Sequence, residues 1–163
     1  MKKVLLVLVM AVSVISAKAQ ITMNVRAGGG YNTEKLGGTG IFQVNVPFRD
    51  GSRWTFSPSL QLDLAIEPFC DEGSHNILLP LCLGYKMKLG NGLFFPKFGP
   101  AVGYDLFSYG KAFNFGPSVE FAFEYKHFVA AVNAYYSIPE VEHTTFYYET
   151  NINTASLTFG YKF

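Results

Sequence analysis

Two glutamates have the residue type and spacing closest to a catalytic pair. Glu120 and Glu124 lie four positions apart in the segment VEFAFEY, and paired carboxylates can act as general acid and base. In an extended chain, four residues span about 13 Å at the rise of a strand, which is more than glycoside chemistry uses. We therefore favour a structural role for both carboxylates, and we expect no cofactor.

The histidines show no spacing typical of a metal site, and no HExxH motif is present. A lipid-modifying enzyme at the rim of a membrane barrel would instead place a histidine beside a hydroxyl residue. Ser74 precedes His75, and His143 precedes Thr144 and Thr145. Such neighbours are common in loops, so a rim-located hydrolase or acyltransferase stays an alternative only.

The composition limits the classes of protein that this chain can belong to. Its 163 residues suit one domain, and only 15% are charged, against about 25% in soluble proteins. Aromatic residues make up 17%, which excludes a disordered chain. The net charge of +1 lacks the basic excess of a nucleic-acid binder, so no nucleic-acid partner is expected.

The first nineteen residues have the pattern of a secretory signal peptide. Lys2 and Lys3 precede an apolar run from Val4 to Ile15, and Ala17-Lys18-Ala19 supplies a cleavage site. The apolar run is too short for a membrane span, which needs about 20 residues. We predict a signal peptide over 1–19 and a single domain over 20–163.

The rest of the chain alternates between apolar and polar residues, which is typical of strands with one apolar face. Leu60, Leu62 and Leu64 alternate with Gln61 and Asp63 in the clearest example. Eight segments of roughly the 9–11 residues that cross a bilayer follow this pattern: 21–31, 39–48, 59–67, 76–89, 93–106, 113–126, 128–137 and 153–163. We predict an all-β protein, an eight-stranded antiparallel up-and-down transmembrane β-barrel, with bulges at the strand prolines Pro80, Pro96, Pro100 and Pro117.

The connections between these segments differ in length. The second, fourth and sixth are short, whereas the third and seventh, at 69–75 and 139–150, are longer. Bacterial barrels have short periplasmic turns and longer outer loops. The pattern therefore predicts a protein of the outer membrane with both chain ends in the periplasm.

Four segments carry a resemblance to a known family: VRAGGGYN at 25–32, LPLCLGYKMKL at 79–89, FGPAVGYDL at 98–106 and LTFGYKF at 157–163. Through them the whole mature chain resembles the PorT-like outer-membrane β-barrel family of Bacteroidetes. The resemblance implies the barrel fold and a Bacteroidetes-like outer membrane, but no catalytic motif. The last segment resembles the terminal signal read by the barrel-insertion machinery, formed here by Leu157, Phe159, Tyr161 and Phe163.

The polar face of the strands carries charges of both signs. An eight-stranded barrel is just wide enough to be filled by side chains, and balanced charge there predicts an ion-paired interior. A narrow solute channel, or a soluble lipocalin-like carrier with an apolar interior, are the alternatives. The predicted lumenal charge network consists of Arg26, Asp63, Glu67, Lys86, Lys88, Lys97, Asp105, Glu120, Glu124, Lys126 and Lys162.

Cys70 and Cys82 lie about 20 Å apart along the predicted hairpin, beyond the reach of a disulfide, so we expect free thiols.

Taken together, these patterns predict a small barrel with a structural or surface-interaction role and no identifiable catalysis. Its expected partners are outer-membrane lipid, the insertion machinery, and a surface or envelope protein that binds the outer loops.

Overall fold

The segments with alternating apolar and polar side chains form strands. A computed structural model describes residues 20–32, 35–65, 75–106, 113–138 and 153–163. Within these ranges, no helix is long and apolar enough to cross a bilayer. The strands are β1 (Thr22–Asn32), β2 (Lys35–Pro47), β3 (Trp54–Ala65), β4 (His75–Tyr85), β5 (Met87–Leu89), β6 (Gly92–Asp105), β7 (Phe113–Tyr125), β8 (Phe128–Tyr136) and β9 (Asn153–Lys162).

The strands form one closed antiparallel sheet. Apart from β4 and β5, which do not pair with each other, each strand pairs with its neighbours in sequence. The first strand β1 pairs with the last strand β9, and β4 pairs with β6. The short strand β5 continues the pairing of β4 along β6, so the two are halves of one wall strand. The prediction of an eight-stranded antiparallel barrel is confirmed.

The barrel is polar inside and apolar outside. On β3, for example, Leu60 faces outward and is 41% exposed, whereas the adjacent Gln61 faces inward and is 4% exposed. Among the described residues other than glycine and proline, twenty buried ones are polar or charged and nine are apolar. This arrangement is the opposite of that in a soluble carrier, and it suits a wall surrounded by hydrocarbon.

The strand prolines interrupt the pairing without inserting a residue. Every ladder keeps one constant register along its length, so the predicted bulges are absent from the described strands and that prediction was wrong. Instead, on one of the two sides of the proline, two consecutive residue pairs are missing from the ladder with the neighbouring strand. A proline has no N–H to donate, which removes a hydrogen bond but leaves the register intact. These interruptions adjoin Pro58, Pro80, Pro96 and Pro100, and the ladder between β7 and β8 ends beside Pro117.

The interruption at Pro96 explains why the fourth wall strand is divided. Gly84 pairs with Lys97 and Met87 pairs with Phe94, so the pairs between them, which involve Pro96, are missing. Lys86 lies at this break between β4 and β5. The register resumes unchanged beyond it, and the wall strand continues to its turn.

Candidate functional site

Glu120 is the centre of the polar cluster inside the barrel. From β7, its Oε2 accepts a hydrogen bond from Nη2 of Arg26 on β1 at 2.7 Å, and its Oε1 accepts one from Nζ of Lys97 on β6. The side chains of both cations are fully buried, and that of Glu120 is 7% exposed. Buried charges are costly unless they are paired, so each cation depends on this carboxylate.

Gln43 of β2 joins the same cluster from the opposite wall. Its Nε2 donates to Oε2 of Glu120 at 3.2 Å, while its Oε1 accepts from Nζ of Lys97 at 2.5 Å and from Nδ2 of Asn24 at 3.2 Å. In the closed order of eight wall strands, β2 and β7 are four places apart, which is the full diameter. The Gln43–Glu120 contact therefore crosses the lumen.

The aromatic ring of Phe95 stabilises the positive charge of two lysines in and beside this cluster. Nζ of Lys97 lies 4.3 Å from the ring centroid of the buried Phe95, and Nζ of Lys86 lies 5.4 Å from the same centroid. The face of an aromatic ring attracts a cation, most strongly where water is excluded. Next to them, Nζ of Lys162 donates to Oε2 of Glu124 at 2.7 Å.

A second polar group surrounds Asp63 and contains neutral donors. Oδ1 of Asp63 accepts from Thr39 at 2.6 Å, and Oδ2 accepts from Gln61 at 2.8 Å. All three residues are buried, as is Asp105. Hydrogen bonds to a carboxylate offset part of the cost of its burial, so this group also fills the interior.

Three members of the predicted network are not found in the described interior. Lys88 and Lys126 are exposed, so their assignment to the interior was wrong. Lys88 is in the short strand β5 beside the turn at Gly90, and Lys126 is itself in a turn, with φ of 53°. Alternation assigns a face but not a depth, and both residues lie beyond the end of the lumen. Glu67 lies outside the described residues.

Gln43 and Phe95 are not members of the predicted network, although both contact its charges. Alternation does place each on the inward face, Phe95 two positions before Lys97 and Gln43 two positions before Asn45. The predicted network consists of charged residues only, and these two side chains are an amide and an aromatic ring. Inward position, not charge, was the signal that identifies them.

The described residues do not form the arrangement that either catalytic alternative needs. Glu120 and Glu124 each contact a different cation, as a structural role requires. His75 begins β4, whereas Ser74, His143 and both candidate threonines lie outside the described ranges. Within those ranges no group of three or more His, Cys, Asp or Glu residues could hold a metal ion.

The thiols and the terminal segment can be placed in part. Cys82 is buried inside the barrel, and Cys70 lies outside the described residues, so the expectation of free thiols stays a prediction. The residues of the predicted insertion signal face outward from the end of the chain and are all exposed: Leu157, Phe159, Tyr161 and Phe163.

No family model and no curated protein sequence matches this chain. Several solved structures do. The outer-membrane enzyme PagL matches with a TM-score of 0.60 at 14% identity, covering 85% of this chain and 97% of PagL. Neisserial surface protein A matches with a TM-score of 0.60 at 9% identity, covering 87% of this chain and 95% of that protein. Ail, the attachment invasion locus protein of Yersinia pestis, matches with a TM-score of 0.51 at 11% identity, covering 90% of this chain and 99% of Ail.

The chain has the fold of the small outer-membrane β-barrels. Identities of 9–14% establish the fold alone and assign no activity to this chain. The resemblance to the PorT-like family stays a prediction, as does the signal peptide over 1–19, which lies outside the described residues.

Proposed function

We propose that the protein is a closed barrel of the bacterial outer membrane, with a structural or surface-interaction role and no transport through its lumen. The outward band of apolar side chains and the likeness to outer-membrane barrels support the location. We extend the proposal to a PorT-like protein of a Bacteroidetes outer membrane on the four segments described above.

The observation that carries this proposal is the contact between Gln43 and Glu120. Their hydrogen bond joins opposite walls, and Arg26 and Lys97 occupy the space on either side of it. Opening a path for solutes would separate these charges from one another inside a poorly hydrated interior. That separation is expensive, so the closed state is favoured.

Recordings from planar bilayers test the closed lumen. The purified protein should show no steady conductance under conditions in which a porin added as a positive control forms regular channels. Reproducible single-channel steps from the unmodified protein would contradict the proposal and favour the narrow channel.

We also propose that the short turns and both chain ends face the periplasm, because bacterial barrels have short periplasmic turns. The connections that contain Gly73 and Glu142 would then be outside the cell and available to a protein partner. An epitope tag inserted at either position should be labelled on intact cells, whereas a tag at Asn91 should not. Labelling at Asn91 alone would show that the orientation is reversed.

A further inference from the structure

The exposed charges at one end of the barrel are mainly positive. In an up-and-down barrel, alternate connections lie at the same end, which here holds the turns at 48–53, 90–91 and 126–127. We call this the turn end. Its exposed charged side chains are four cations and one acid: Arg49, Arg53, Lys88, Lys126 and Asp50.

The sequence of the opposite connections has the reverse charge. The segments 33–34, 66–74, 107–112 and 139–152 contain seven acidic residues and one lysine, Lys111. Charge is therefore separated along the chain according to the end at which each connection lies. A charge distribution of this kind favours different surroundings for the two ends.

Aromatic side chains mark the depth at which the cations of the turn end lie. Trp54 and Tyr125 are exposed near the turns. Tyr85 is half-buried, and its ring centroid lies 4.9 Å from that of Trp54. Trp and Tyr concentrate at the level of the lipid headgroups. Arg53 directly precedes Trp54, and Nζ of Lys126 lies 5.5 Å from the ring centroid of Tyr125. These cations therefore lie at the headgroup layer.

Backbone hydrogen bonds hold part of this positive surface in place. The amide of Phe48 donates to the carbonyl of Trp54 at 3.2 Å, which closes the turn that carries Arg49 and Arg53. The amide of Lys86 donates to the carbonyl of Arg53 at 2.8 Å, which ties that turn to the next wall strand. Because this backbone is already ordered, binding of an anion costs no further ordering of the turn itself.

We propose that the turn end binds anionic phospholipid headgroups and enriches them in the leaflet around it. The inference rests on the membrane location proposed above. Arginine offers a fork of N–H donors that matches phosphate oxygens, and lysine supplies a point charge. Four exposed cations against one exposed acid complement the phosphodiester of phosphatidylglycerol. Zwitterionic phosphatidylcholine carries a phosphate too, but its choline group cancels the net attraction.

Trp54 provides a local probe because it is the only tryptophan of the chain and is 54% exposed at the turn end. The protein is folded into phosphatidylcholine vesicles that contain a minor fraction of phosphatidylglycerol. Either the phosphatidylglycerol or an equal fraction of the phosphatidylcholine carries brominated chains, which quench a nearby indole. We expect brominated phosphatidylglycerol to quench about twofold more strongly, and we expect molar salt to remove most of the difference.

Variants assign the preference to the named side chains. The fourfold variant R49Q/R53Q/K88Q/K126Q should quench equally with the two brominated lipids, whereas Asp50→Asn should raise the preference for phosphatidylglycerol. Lys111→Gln, in a connection at the opposite end, serves as the control and should leave the preference unchanged. Heat-modifiable migration on gels verifies that each variant is folded.

Equal quenching of the unmodified protein by the two lipids would overturn the inference and favour a protein or glycan partner for the turn end. Preference that persists in the fourfold variant would overturn the assignment to these cations. Quenching by neither lipid would show that Trp54 is not in a bilayer, which contradicts the proposed membrane location itself.

Discussion

Gln43 and Glu120 hydrogen-bond at 3.2 Å from strands that lie on opposite sides of the barrel. Both side chains also accept a hydrogen bond from Lys97, and Glu120 accepts one from Arg26, so side chains from four strands form one connected group. The interior is thereby cross-linked in addition to the hydrogen bonds of the wall. Such a group is stable only while its charges stay paired.

Replacement of Glu120 tests this dependence. Glu120→Ala leaves two buried cations without their carboxylate and should lower the free energy of unfolding by about 3–5 kcal/mol. Gln43→Ala removes the hydrogen bonds of an uncharged amide but leaves the ion pairs of Glu120 with Arg26 and Lys97 in place, so it should cost about 1–3 kcal/mol. Urea unfolding in lipid vesicles measures both. Equal costs would contradict the central role of Glu120, and we expect neither variant to conduct ions.

The outward leucines of β3 test the position of the barrel in the bilayer. Leu60 lies near the middle of Trp54–Ala65, and Leu64 lies near its end. Leu60→Arg should destabilise the barrel folded in vesicles by about 2–4 kcal/mol. Leu64→Arg should destabilise it by only about 0–1 kcal/mol, because Leu64 lies near the interface. Similar costs at both positions would show that the apolar band is not centred on Leu60.

Two glycines form a matched pair for testing how closely the strands approach. A Cβ at Gly116 would lie 1.8 Å from the carbonyl oxygen of Tyr136, whereas a Cβ at Gly40 would have no atom within 4 Å. Gly116→Ala should destabilise the barrel by about 1–3 kcal/mol through overpacking. Gly40→Ala should be neutral or stabilising by up to about 1 kcal/mol. The difference in urea midpoint between the two variants measures the effect, and its reversal would contradict the described strand spacing.

Replacing a strand proline by a residue with an N–H group should restore the missing hydrogen bond of an interrupted ladder. Pro100→Val restores an N–H opposite Leu81 and should raise the free energy of unfolding by about 0.5–1.5 kcal/mol. Val102→Pro removes a donor from an intact part of the same ladder, where Val102 pairs with Leu79, and should lower that free energy. Amide hydrogen exchange on β4 provides a second measurement. Faster exchange in Pro100→Val would count against this account of the gaps.

The sequence by itself determined the wall of the barrel. Each segment of about ten residues has its own alternation of apolar and polar side chains. The outward face of Leu60 and the inward face of Gln61 can therefore be predicted without knowing the partner strand. Eight such segments of membrane-spanning length, joined by alternating short and longer connections, leave few architectures other than an up-and-down barrel. The inward face of Glu120 follows from the same local pattern.

Only the tertiary structure decided which residues meet inside. Glu120 contacts Gln43 and Arg26, which are 77 and 94 positions away in the sequence, and these pairings depend on strand order and register around the closed sheet. Alternation gives each residue a face but no depth, so it could not separate the buried Lys97 from the exposed Lys88. Depth is a property of the assembled barrel, because a side chain enters the lumen only where the opposite wall also surrounds it.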